Sequence, residues 1–299
     1  MSVKTRFARL ALGLALVIAV LAAGFAITLS QIHTWGATPG EVSRTFPGDE
    51  LAPQPVVLWT HAIDIAAPPE QVWPWIAQIG DTRGGFYSYT FIENLVSQKN
   101  LYHNATAINP DWQNPQPGQG IIFDMLKLKT ITPGQSLLAA SEIPGMTWIW
   151  LWQLEPQGTA GARLLVRMRI QVDGAALPAV ATAVVDMGGF VMERGMLQGI
   201  KDHAERRIPA TYVEPLGIVL WALALAAGFA AAYLFIARKA WQKPLAVGLL
   251  AVVVLFGLTF IQPALWLRVI LDAALALGVV WAARRPVNSA EPQVKAPFA

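Results

Sequence analysis

A chain of 299 residues, of which 55% are hydrophobic and only 14% charged, is too apolar for an ordinary soluble protein, where charged residues make up about 25%. Its net charge is +3, and Lys and Arg cluster beside the apolar runs, which suits membrane topology and leaves no basic stripe for nucleic acid. The absence of cysteine excludes disulfides, thiolate catalysis and Cys-ligated metals.

The apolar excess collects in residues 10–29 and 215–283, so one soluble domain between membrane segments is expected. Lys4, Arg6 and Arg9 precede the uncharged run Leu10–Leu29, which is long enough to cross about 30 Å of hydrocarbon at ~1.5 Å per residue. The run exceeds a signal-peptide core of roughly 7–15 residues, and residues 1–30 are read as an uncleaved anchor.

Residues 31–57, rich in Gly, Pro, Thr and Asp, read as an extended linker leading away from the membrane, with Trp35 at the interface. Val56–Ile65 alternates as a half-buried strand, with Trp59, His61, Ile63 and Ile65 on one face and Thr60, Ala62 and Asp64 on the other. Pro68-Pro69-Glu70 opens a short helix that Pro74 distorts and Gly80 stops. Arg83-Gly84-Gly85-Phe86-Tyr87-Ser88-Tyr89 then crowds aromatics around a glycine pair and reads as the rim of an apolar pocket.

A polar loop follows from Leu101 to Trp112, and then come short β-leaning runs at Ile121–Thr130, Ser136–Ile143 and Thr147–Leu154, separated by Pro-Gly turns. The strand Arg163–Val172 places Arg163, Arg167, Arg169 and Gln171 on a wet face and pairs with Thr147–Leu154. A long helix runs from Leu177 to Arg207 and ends at Pro209.

Three more spans are expected at Pro215–Ile236, Leu245–Ile261 and Ala264–Ala283, within a membrane segment of residues 213–285, and 286–299 reads as a disordered tail. The basic clusters at 4–9, 238–243 and 284–285 place both termini in the cytoplasm and residues 31–212 on the outer side. Arg268 and Asp272, four residues apart, are expected to neutralise one another on one helix face.

The order of elements, the helix Pro-Pro-Glu-Gln-Val-Trp-Pro-Trp-Ile, the Arg-Gly-Gly-Phe-Tyr-Ser-Tyr segment and Met-Glu-Arg-Gly-Met-Leu-Gln-Gly-Ile-Lys near the domain's end resemble the SRPBCC superfamily. This is the START-like, helix-grip group, which includes polyketide cyclases and lipid-transfer proteins. The likeness covers residues 33–208, with the domain itself at 58–208, and points to a membrane-attached bacterial branch without an assigned activity. It implies an α+β fold in which a curved antiparallel sheet grips a long C-terminal helix around an apolar cavity.

Candidate acid–base groups are Glu93, His103, Asp111, Asp124 and His61, and no spacing forces any two together. Glu93 is expected to pair with Arg83. Histidines at 33, 61, 103 and 203 show no ligand spacing, so no metal and no cofactor are expected. Ser88 lacks a nucleophile-elbow context. The candidate ligand-binding residues are Arg83, Phe86, Tyr87, Tyr89, Glu93, His103, Trp112, Trp148, Trp150, Trp152, Met187 and Val191. The expected function is membrane-anchored binding or transfer of a hydrophobic, lipid-like small molecule. A cyclase or dehydratase-like enzyme using the same cavity, or an envelope interaction module with a self-filled core, are the alternatives.

Overall fold

The structure, a computed structural model, describes residues 3–97, 102–174, 178–208 and 212–284. Leu101, Leu177, Pro209, Arg285 and the tail expected at 286–299 lie outside these. The chain forms two compact units, one of residues up to Gly24 together with those from Pro215 onward, the other Phe25–Glu214.

The second unit is α+β. The N-terminal helix α1 (Val3–Ile32) ends in it, and a short helix α2 (Pro39–Ser43) precedes strand β1 (Val57–Ile65). Helices α3 (Pro69–Ala77) and α4 (Thr90–Ser97) follow. Next come β2 (Gly120–Ile122), β3 (Leu126–Thr132), β4 (Ser136–Ile143), β5 (Met146–Gln157) and β6 (Gly161–Val172), and α5 (Ala179–Ala204) closes the unit. All six strands are antiparallel in one sheet of order β1-β6-β5-β4-β3-β2. β1 crosses over to the far side of β6, and the rest is a meander. The run expected as one strand over Ile121–Thr130 is two, because Phe123 and Asp124 adopt positive φ and turn the chain. Register shifts in β2–β3 and β3–β4 add local twist.

The period of two decides both layers. Trp148, Trp150, Trp152 and Leu154 of β5, Leu164 and Val166 of β6 and Ile63 and Ile65 of β1 share the face that packs with Val72, Trp75 and Ile76 of α3 and Met196, Leu197 and Ile200 of α5. Ile149, Leu151, Leu138, Ala140, Ala62 and Leu165 face the other way. There they bury Phe46 and Ala52 of the segment before β1.

That second layer overturns the extended linker expected over 31–57. Thr38 and Glu41 form a capping box at the start of α2. A single turn of 3-10 helix at Asp49–Leu51 then carries Asp49 onto the sheet, where Arg167 Nη2 meets Asp49 Oδ2 at 3.0 Å and Arg169 Nη1 meets Asp49 Oδ1 at 3.1 Å. Arg163 pairs with Glu41 at 2.8 Å. The arginine face expected to be wet is therefore covered, with Arg167 only 5% and Arg169 8% exposed. Trp35, expected at the membrane interface, packs against the core beneath the Arg194 guanidinium, 5.1 Å from its ring.

The other unit holds α6 (Val213–Ala237), α7 (Gln242–Phe256), which runs into a π-helical turn at Gly257–Ile261, and α8 (Leu265–Ala283). With α1, the described residues hold four helices long and apolar enough to cross a membrane. Arg9 is buried, donating to the carbonyls of Arg238 at 2.8 Å and Ile236 at 2.7 Å, and so caps the end of α6. The expected Arg268–Asp272 pair does not form. Arg268 Nε donates to the Pro263 carbonyl at 2.7 Å, and both carboxylate oxygens of the buried Asp272 have no partner among the described residues. Four-residue spacing brings two side chains within reach, but the Pro263 turn offered the guanidinium a nearer acceptor.

Candidate ligand site in the grip

The Arg-Gly-Gly-Phe-Tyr-Ser-Tyr segment begins where α3 ends. Gly80 and Gly85 bridge their backbones, Gly84 N donates to the Gln78 carbonyl at 2.8 Å, and Gly85 turns with φ +74°. A β-carbon on Gly85 would collide with the His103 carbonyl, so glycine is required on both counts. Arg83 Nη2 donates to the carbonyls of Ala77 at 2.8 Å and Trp112 at 2.6 Å, tying the loop after α4 to the end of α3. Burial lowers the Arg83 pKa below its ordinary value.

Tyr87, at φ 56°, is buried. Its hydroxyl accepts from Gln78 Nε2 at 2.9 Å, its ring stands edge-on to Trp75, and burial pushes the phenol well above its usual pKa of 10. Asn104 holds this strained turn by accepting from Tyr87 N at 2.7 Å and donating to the Ser88 carbonyl at 2.8 Å. Ser88 Oγ donates to the Met192 carbonyl at 2.8 Å. Gly195 faces Ser88 and Tyr89, and Gly199 faces the Tyr87 backbone. The two signature segments are thus halves of one joint, in which Arg83 and Tyr87 make the contacts just described.

The aromatic face is laid out as expected. Trp148 and Trp150 lie 6.0 Å apart and 22° from parallel, Trp150 and Trp152 4.4 Å apart, and Phe86 stacks on Trp150 at 5.9 Å. Tyr102 continues the row from Phe86 to Phe123. Trp152 is fully buried at one end, while Trp148 and Trp150 are half-buried at the other. Met187 and Val191 are half-buried on α5. The indole N–H groups of Trp148 and Trp152 are buried without an acceptor among the described residues.

Trp150 Nε1 donates to Glu193 Oε2 at 3.1 Å, and Glu193 Oε1 lies 2.6 Å from His61 Nδ1. His61 Nε2 meets the Ile32 carbonyl, at the last residue of α1, at 2.6 Å. A carbonyl only accepts, so Nε2 carries a proton there. Trp59 stacks on the His61 ring and Phe190 meets it edge-on. Sequence reasoning noted His61 and missed Glu193, yet a signal existed. Phe190, Glu193, Leu197 and Ile200 fall at helical spacing and place a carboxylate on the core face of α5.

Glu93 does not pair with Arg83, whose guanidinium is committed to two carbonyls. Its charged neighbour is instead Glu214, which accepts from Thr90 Oγ1 and Phe91 N at the start of α4. Burial, with the Glu214 charge adding to it, raises the Glu93 pKa from 4.5 to about 7. Tyr89 is half-buried, His103 is exposed, and Trp112 is half-buried and contributes its carbonyl. Asp111 and Asp124 are exposed. Two surface hollows, of about 570 Å³ beside Asp124, Lys127 and Lys129 and about 530 Å³ beside Glu41 and Arg163, include none of the aromatic row. Among the described residues no cluster of His, Asp or Glu is arranged to hold a metal.

No family model and no curated protein matches the chain. Solved structures similar to it include a START superfamily protein from Mycobacterium smegmatis, 10% identical, covering 50% of this chain and 97% of that one at a TM-score of 0.29. DynU16, described as a putative protein of the dynemicin biosynthetic locus, is 15% identical, with 47% of this chain and 46% of that one covered and a TM-score of 0.28. Norcoclaurine synthase from Thalictrum flavum is 12% identical, with 50% and 84% covered and a TM-score of 0.26. The sheet order and the α5 packing described above define the architecture on their own. The α+β unit is a six-stranded antiparallel sheet with one face packed on α3 and α5. In this unit the Trp152 end of the aromatic row is fully buried, and the half-buried aromatics lie toward Trp148.

Proposed function

We propose that the chain is a membrane-anchored binder of a hydrophobic, lipid-like small molecule, held in the grip at the half-open end of the aromatic row. The observation that carries this is Trp148, half-buried and stacked on Trp150, with a buried indole N–H that no group among the described residues satisfies. Such a donor left unpaired costs about 1–3 kcal/mol. A guest with a flat apolar body and one acceptor oxygen would cover the ring and take the hydrogen bond. The four apolar helices support membrane anchoring, and the basic clusters beside them support cytoplasmic termini with the domain on the outer face.

The test is native mass spectrometry of the full chain, with Trp148→Ala to remove the platform and Val185→Trp, on the α5 residue that packs in the same cluster as Trp148, to crowd it. One stoichiometric guest in the parent protein, lost in both variants while the fold persists, would support the reading. An identical lipid complement in all three would overturn it and favour an interaction module. Glu93, near neutrality at about 7, favours a second reading as a cyclase or dehydratase-like enzyme, because a carboxyl poised there can give or take a proton. Conversion of an identified guest that disappears in Glu93→Gln would separate the two.

A further inference from the structure

Helix α4 is inside out. Its apolar residues Phe91, Ile92 and Leu95 are 53%, 38% and 66% exposed, while Glu93, Asn94 and Ser97 are drawn inward. Asn94 is spent on the Tyr102 backbone, donating to its carbonyl at 2.9 Å and accepting from its amide at 2.8 Å. A surface helix in water keeps its charges outside and its apolar stripe against the core. The reversal is fixed by hydrogen bonds, so α4 cannot roll over to hide its leucine and phenylalanine without losing them.

What covers that face follows from the helix's anchor point. The start of α4 is bonded to Glu214, through Thr90 Oγ1 at 2.8 Å and Phe91 N at 3.0 Å. Glu214 is the second residue of α6, the span Val213–Ala237, so the chain passes from α4's anchor directly into a membrane-crossing helix. Tyr212, one residue before that span, is 62% exposed, and Ile208 is 40% exposed. We infer that α4 lies in the surface of the bilayer that α6 enters, with Phe91, Ile92 and Leu95 in the headgroup–acyl boundary and Tyr212 at the same level. Aromatic and aliphatic side chains suit that layer, and the exposed face carries no charge among the described residues to oppose entry. The inference stands apart from the ligand reading, since it concerns only the outward face of α4.

Because the chain has no cysteine, Leu95→Cys gives a single labelling site, and Gln157→Cys at the exposed end of β5 gives a control. Each full-length variant is labelled with an environment-sensitive fluorophore and reconstituted into phospholipid vesicles with nitroxide-bearing lipids. The Leu95 probe is expected to lose most of its emission to shallow nitroxide lipids and to be shielded from aqueous iodide, with the opposite at Gln157. A Leu95 probe quenched by iodide alone would overturn the inference. So would one shielded from both quenchers at all protein-to-lipid ratios, which would mean a protein cover, and one whose shielding vanishes on dilution in lipid, which would mean a second copy.

Discussion

The backbone carbonyl of Tyr87 occupies the place that a β-carbon on Gly199 would need. α5 and the aromatic turn before α4 therefore meet backbone to backbone, with neither able to give way cheaply. Gly199→Ala is expected to lower stability by about 1–3 kcal/mol, the usual cost of overpacking. Gly188 provides the control, since nothing lies within 4 Å of a β-carbon built there. Gly188→Ala should gain about 0.5–1 kcal/mol from helix preference alone. Denaturant unfolding of the full chain in mild detergent separates the two, and equal effects would refute the joint.

Asp49 neutralises two buried guanidiniums at once. Asp49→Ala leaves Arg167 and Arg169 buried without their carboxylate, which should cost about 3–5 kcal/mol. It should also free the segment before β1, seen as faster tryptic cutting at Arg44. Changing Asp49 to Ala together with both arginines to Met removes the unpaired charges and should recover most of the loss. If the triple variant is as unstable as the single one, the cluster acts through something other than charge compensation.

Most of the sheet could be read from the chain because β-strands announce themselves through alternation, and Trp148, Trp150 and Trp152 share a face as their spacing requires. The same rule misled on β6. Arg163, Arg167 and Arg169 carry the pattern of a wet face, and only the distant Glu41 and Asp49, which local periodicity cannot connect to them, make it a covered one. Glycine and proline in 31–57 read as an extended linker because composition says nothing about whether a segment packs on a distant face. The stacking of Phe86 on Trp150 had no signal in the sequence, because it joins residues from distant segments. The partner of Glu93 did not follow from the sequence, because a pairing between Arg83 and Glu93 depends on which carbonyls the guanidinium meets first.

Glu193 links three elements, accepting from Trp150 of β5 and bonding His61 of β1, which in turn holds the end of α1 through the Ile32 carbonyl. Glu193→Leu strands two buried polar groups and is expected to cost about 1–3 kcal/mol for each. The Trp150 contribution to the fluorescence should shift as its indole loses its acceptor. Hydrogen exchange at Thr60 and Ala62, whose amides donate to the carbonyls of His33 and Trp35, should quicken as the end of α1 loosens. Glu193→Gln keeps one oxygen and should fall between. Unchanged exchange at both amides in Glu193→Leu would show that the link carries no mechanical load.

Glu93 should make the protein less stable as the pH rises. Its carboxyl titrates near 4.5 when unfolded and at about 7 when folded, so between those values the folded state binds more protons than the unfolded one. Stability then falls with increasing pH across that window, by on the order of 3 kcal/mol for a difference of this size. Above it the ionised carboxylate is buried beside Glu214, and the full penalty applies. Glu93→Gln removes the proton and the penalty together. The variant should match the parent near pH 4.5, exceed it at pH 8, and show a flatter stability profile between. A parent protein whose unfolding midpoint rises from pH 5 to pH 7 relative to Glu93→Gln would mean that Glu93 is ionised and compensated in the fold.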